Sequence, residues 1–209
     1  MKGLLLKEFI MLKKGWVTFL IFFIAFGIGG VGSDFISFML PLFVAILLYG
    51  HINYDEQSKW QQYSIALPYG RKMIVSAKYA AMAIGAVVST VLVVLLHGVT
   101  VAIGKAEFSL KDLVGYAILS LAIGIIYPTF FLPLAYKFNS EKGRTIMLFL
   151  NGAAGACSVF LLSAIEATGI LAKLSNYTNI LPYIAIAAVL VLFALSWLIS
   201  VKIYEKREL

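Results

Sequence analysis

Six stretches of this chain are long and apolar enough to cross a lipid bilayer, at about residues 16–33, 35–53, 73–103, 112–136, 145–167 and 180–201. A helix needs roughly 20 predominantly apolar residues to span the hydrocarbon core. In 209 residues these stretches leave no charged, mixed-composition segment of domain size. The composition agrees: 62% of residues are hydrophobic and 13% charged, against about half and about a quarter in soluble domains. A core this small cannot hide that much apolar surface, so lipid is its natural solvent. Spanning β-strands would alternate in polarity, and runs such as Ala83 to Leu96 do not. The expected fold is an all-α integral membrane protein with six transmembrane helices in a single domain, 1–209. Its third helix is long enough to tilt or to project beyond the bilayer.

The sidedness of basic residues sets the orientation. With the N-terminus inside, the inner segments hold 14 Lys and Arg and the outer loops 3 (Lys105, Lys111 and Lys173), which sum to the 17 of the chain. Both termini are therefore expected in the cytoplasm. The net charge of +7 is spread around apolar blocks rather than gathered on a nucleic-acid-binding face. A single cysteine, Cys157, excludes an intramolecular disulfide. Residues 2–14 mix charge and bulk, with Lys2, Lys7, Lys13 and Lys14 around Phe9. That mixture sets the segment apart from a signal peptide. It reads as a helix lying in the cytoplasmic interface, its lysines reaching toward lipid headgroups.

The inner loop between the second and third stretches carries the most information. Asn53 and Glu56 have capping-box spacing. Trp60, Tyr63 and Leu67 recur at helical intervals as an aromatic-apolar stripe. Asp55, Glu56, Lys59 and Gln62 are left for the wetter faces, and Pro68 and Gly70 break the helix before the next span. The expected element is a short amphipathic helix, 54–66, parallel to the membrane. It serves either as an interfacial anchor or as an aromatic knob for a partner's cleft. Lys78, near the inner end of the third span, is expected to snorkel to the interface.

Asp55, Glu56, Trp60, Tyr63, Leu67, Pro68, Arg71, Lys72, Lys78 and Tyr79, with the topology around them, resemble the small bacterial permeases of ABC type-2 exporters. Among these the chain is most similar to permeases of peptide exporters, including those that export amphipathic phenol-soluble modulins. The resemblance implies a bacterial inner-membrane subunit forming half of a translocation pathway, paired with a second copy or a paralogue. It also implies a separate cytoplasmic ABC ATPase that holds ATP and Mg and docks on the coupling helix 54–66 through Asp55, Glu56, Lys59, Trp60 and Tyr63. Residues 2–14 would correspond to the family's interfacial elbow helix.

The chain itself carries no nucleotide-hydrolysing motif. Gly98 to Ala106 has the wrong spacing for a phosphate loop and lacks the Ser/Thr after Lys105. Neither His51 nor His97 has neighbours at metal-ligand spacing. A non-catalytic subunit without a cofactor of its own is expected. Few ionisable residues lie at membrane depth, so any pathway is expected to be apolar and its cargo amphipathic or hydrophobic: a peptide, a toxin or a lipid-like compound. Small residues in the first and fifth spans, among them Gly29, Gly30, Gly152 and Gly155 beside the polar Asn151, are candidates for close helix packing or for the pathway wall. Pro128 and Pro133 are expected to bend the fourth span. The competing expectation is a self-contained six-span transporter or channel that needs no ATPase.

Overall fold

The computed structural model describes residues 3–12, 15, 17, 21, 34–65, 70–104, 109–138 and 181–206. Among them the regular elements are all helical: α1 over residues 3–12, α2 Asp34–Gln57, α3 Trp60–Ile65, α4 Arg71–Ala102, α5 Leu110–Lys137 and α6 Leu181–Lys206. Among the described residues three helices, α4, α5 and Tyr183–Lys206 of α6, have the length and apolarity to cross a membrane. The second expected span falls on α2, while the first and fifth lie largely or wholly outside the described residues, with Gly29, Gly30, Asn151, Gly152 and Gly155 among those not described.

Periodicity explains how the bundle closes. On α4 the buried positions Val75, Lys78, Tyr79, Met82, Ala86, Ser89 and Val93 repeat every three or four residues, and the opposite face leaves Val87, Val88, Val91, Leu95 and Val99 exposed. One stripe meets protein and the other is left for lipid. α4 and α5 pack on each other and on α2 and α6. Lipid tails give no hydrophobic drive for this association, so close packing must supply it. The tightest approach sets Gly124 of α5 on Ala86 of α4, where an added Cβ would stand 2.9 Å from the Ala86 Cβ. Gly85 likewise leaves room for the Leu48 side chain of α2.

α5 runs through both Pro128 and Pro133 as one helix. Pro133 has no N–H for the carbonyl four residues back, that of Thr129. The Ser196 hydroxyl of α6 takes its place, donating to the Thr129 oxygen at 2.6 Å. With its hydrogen so committed, Ser196 must accept from the Tyr79 hydroxyl at 2.7 Å, and Ser200 in turn donates to Tyr79 at 2.7 Å. A proline that frees a carbonyl in lipid thus ties three helices together, because a free polar group there has no water to bond.

The largest core cluster lies at one end of the bundle. Leu4 of α1, Ile52 of α2, Val75 and Tyr79 of α4, Leu132 and Tyr136 of α5, and Tyr204 of α6 meet there, with Trp60 of α3 packed against them. The end of α2 and the start of α4 converge at this end. It is the end expected to face the cytoplasm.

Candidate functional site

Between α2 and α4 the backbone turns sharply. Tyr54–Gln57 continue α2, so Asn53 lies inside a helix rather than at its cap, and the expected segment 54–66 is divided. Lys59 ends α2 in the left-handed region, at φ 52. Its N–H donates to the Glu56 carbonyl at 3.0 Å and that of Ser58 to the Tyr54 carbonyl at 2.9 Å. α3 then starts at Trp60. Gly70, extended at ψ 151, leads into α4.

Beneath this turn lies a buried ionic cluster. The Lys78 ammonium, 8% exposed, donates to Glu8 Oε1 at 2.9 Å and stands 2.6 Å from Asp55 Oδ2. Lys7 bonds the other Asp55 oxygen and lies 3.6 Å from Glu8 Oε1. His51 Nδ1 sits 3.2 Å from the second Glu8 oxygen. Two ammonium groups thus face two carboxylates, and three helices supply them: α1 gives Lys7 and Glu8, α2 gives His51 and Asp55, and α4 gives Lys78. Burial alone would raise the Glu8 carboxyl, but the His51 hydrogen bond and the Lys78 and Lys7 charges outweigh it and hold Glu8 down at about 2. Burial, with Lys78 beside it, pushes the Lys7 ammonium below its ordinary range, against the pull of Asp55 and Glu8.

Lys78 therefore does not snorkel. Two carboxylates come to it instead, which the low dielectric of the site favours over an unpaired buried charge. The aromatic stripe is also rearranged. The Trp60 ring is half-buried and covers Lys7, whose Nζ lies 4.4 Å from its centroid. Ser64 is buried one turn on, while Tyr63 is 68% exposed. Trp60 and Tyr63 thus face different surroundings, because the charge below α3 draws Trp60 inward; Leu67 lies outside the described residues.

The candidate docking residues separate accordingly. Asp55 is buried and held by two lysines, Glu56 is half-buried, and Lys59 and Tyr63 are exposed beside Tyr54 and Gln57. Of the candidate interfacial residues, Lys7 is in the cluster and Phe9 is exposed; Lys2, Lys13 and Lys14 lie outside the described residues. Sequence reasoning missed the role of Glu8. The available signal was Lys78 itself, an ionisable residue inside an apolar stretch that requires a partner. Among the described residues no group of three or more His, Cys, Asp or Glu could hold a metal ion.

These features define a helical integral membrane protein with a charge-stapled end and a short loop helix over it. The model for ABC-2 family transporter proteins matches residues 3–205, and the chain belongs to that family. It is thereby a membrane component of an ABC transporter, a transport chain rather than a catalytic one. No curated protein and no solved structure aligns with it significantly.

Proposed function

We propose that this chain is the permease subunit of an ATP-driven exporter, forming half of a pathway for amphipathic or hydrophobic cargo such as a peptide. A separate cytoplasmic ATPase powers it by docking on α3 and the turn before it. Six spans make half a pathway, so a second copy or a paralogue completes it. The observation that carries this proposal is the coupling of α3 to the bundle: Trp60 covers Lys7, and Lys7 shares Asp55 with Lys78. A push on the exposed side of α3, at Lys59 and Tyr63, has a short route through packed and charged contacts into α1, α2 and α4. Energetic coupling travels through such contiguous networks when they have two arrangements.

The roles divide between the exposed and the buried residues of α3, of the turn and of the α2 end before it. Tyr63, Lys59 and Glu56 serve as the surface read by the ATPase, and Trp60 and Asp55 pass the displacement on. The test is photocrosslinking from Gln57 or Lys59 in native membranes, with the captured protein identified. Capture of a protein bearing a phosphate-binding loop, lost on Tyr63→Ala, is the expected result. Labelling of lipid alone, with good expression and reaction yield, would refute docking and favour a self-contained transporter.

A further inference from the structure

A cavity of about 370 Å³ lies between α1 and α2, on the flank of α2 away from the bundle core, and the proposed transport role does not use it. Its volume is at the small end of the range of ligand sites, roughly 300–1,000 Å³. The walls are apolar, from Met11 and Leu12 on one side and Ile46 and Leu47 on the other. The lining runs from Ile46 to Tyr54 along α2, about 12 Å at ~1.5 Å per residue. The space is therefore elongated along the helix. An apolar cavity of this kind does not hold water well.

Two glycines keep it open. An added Cβ at Gly50 would meet nothing within 4 Å, so packing against protein does not require glycine there. Glycine inside a helix nonetheless costs roughly 0.5–1 kcal/mol relative to alanine. Gly15 faces it, and a Cβ there would only touch Leu47 at 3.6 Å. The polar groups gather at one end: His51, the exposed Tyr54 phenol and Ser58. Around the site Leu6, Phe9, Ile10, Val17 and Ile21 are all exposed apolar side chains. Side chains of that kind belong in hydrocarbon.

We infer that this cavity is a binding site for one membrane phospholipid. One acyl chain lies along α2 over Leu47 and Gly50, and the ester and phosphate oxygens accept hydrogen bonds from the exposed Tyr54 hydroxyl. An elongated apolar trough with donors at one end matches an amphiphile of that shape. His51, whose ring bonds Glu8, lines that end of the cavity, so one side chain separates the headgroup from the ionic cluster.

The experiment uses the full chain in nanodiscs of phosphatidylglycerol, a fraction of it carrying a diazirine on the acyl chain, with labelled residues mapped after irradiation. Labelling at Met11, Ile46 and Leu47 should exceed that at the outer positions Val88 and Leu198. Gly50→Leu fills the trough and should lower the cavity label several-fold, leaving Val88 and Leu198 unchanged. Leu47→Trp fills it from the other wall and should act alike, which guards against one variant failing to fold. Equal labelling of cavity and outer faces, or no response to either variant, would overturn the inference. Displacement of the cavity label by an added amphipathic peptide would assign the site to peptide and equally overturn the lipid.

Discussion

Replacing Lys78 by methionine removes the ammonium at the centre of the ionic cluster while keeping the length of the side chain. Its nitrogen lies 2.9 Å from Glu8 and 2.6 Å from Asp55. At an effective dielectric near 20, each contact is a gross attraction of about 6 kcal/mol. Much of this offsets desolvation, and breaking one partner of a buried pair costs about 3–5 kcal/mol net. The larger end is expected here, since two carboxylates lose a partner and only Lys7 and His51 remain to face them. Unfolding of the purified protein in mixed micelles, titrated with a denaturing detergent, reads the loss directly. The double variant Lys78→Met, Glu8→Gln leaves Lys7 paired with Asp55, strands no charge and should recover part of the loss. A cost below about 1 kcal/mol would match an exposed ion pair and would refute the buried cluster.

Glu8 sets a pH window of its own. Its carboxyl is held at about 2 in the folded protein against an ordinary 4.5. The resulting stability is fully present above pH 4.5 and drains away as pH falls toward 2, with a total of about 3 kcal/mol; Glu8→Gln should flatten that part of the stability profile. Lys59→Gly relieves the left-handed backbone at φ 52 and should stabilise the protein by about 1 kcal/mol, seen as a raised Tm, with no gain if the turn is not formed. Ser196→Ala strips the Thr129 carbonyl of its donor and should cost about 1 kcal/mol, in the range of hydrogen bonds within membranes. Adding Pro133→Ala supplies an N–H to that same carbonyl and should recover the loss, whereas additive costs would show that the two groups are independent.

The helices were legible wherever one physical demand ruled. Membrane-length apolar runs located α4, α5 and α6 without reference to neighbours, because lipid imposes length and composition on each span separately. Gly70 marked the entry to α4 for a local reason as well. The loop was harder, since its helix is interrupted by a turn that only Lys59, a residue with no special liking for φ > 0, reveals in three dimensions. Spacing alone put Trp60 and Tyr63 on one stripe. Which of them turns inward depends on Lys7, 53 positions earlier in the chain. The ionic cluster was legible only as a question posed by Lys78.

That question has a physical answer that also says why the charges are there. Fully apolar contacts would hold α1, α2 and α4 together at least as well, since a buried ion pair scarcely beats a hydrophobic substitute in stability. What apolar contacts lack is direction: an apolar helix face in lipid slides by a residue at small cost, whereas Lys78 can face Glu8 and Asp55 together in only one register. Over the described residues 3–12 the outer face of α1 is apolar, and apolar contacts alone leave its register free. Glu8 and Lys7 fix it to both other helices at once. The proposed mechanism, in which an ATPase moves α3, needs a transmission without slip between α3 and the spans. A register fixed by charge, with Trp60 laid over it, provides one, and a graded loss of coupling before any loss of folding in Trp60→Ala is the behaviour it requires.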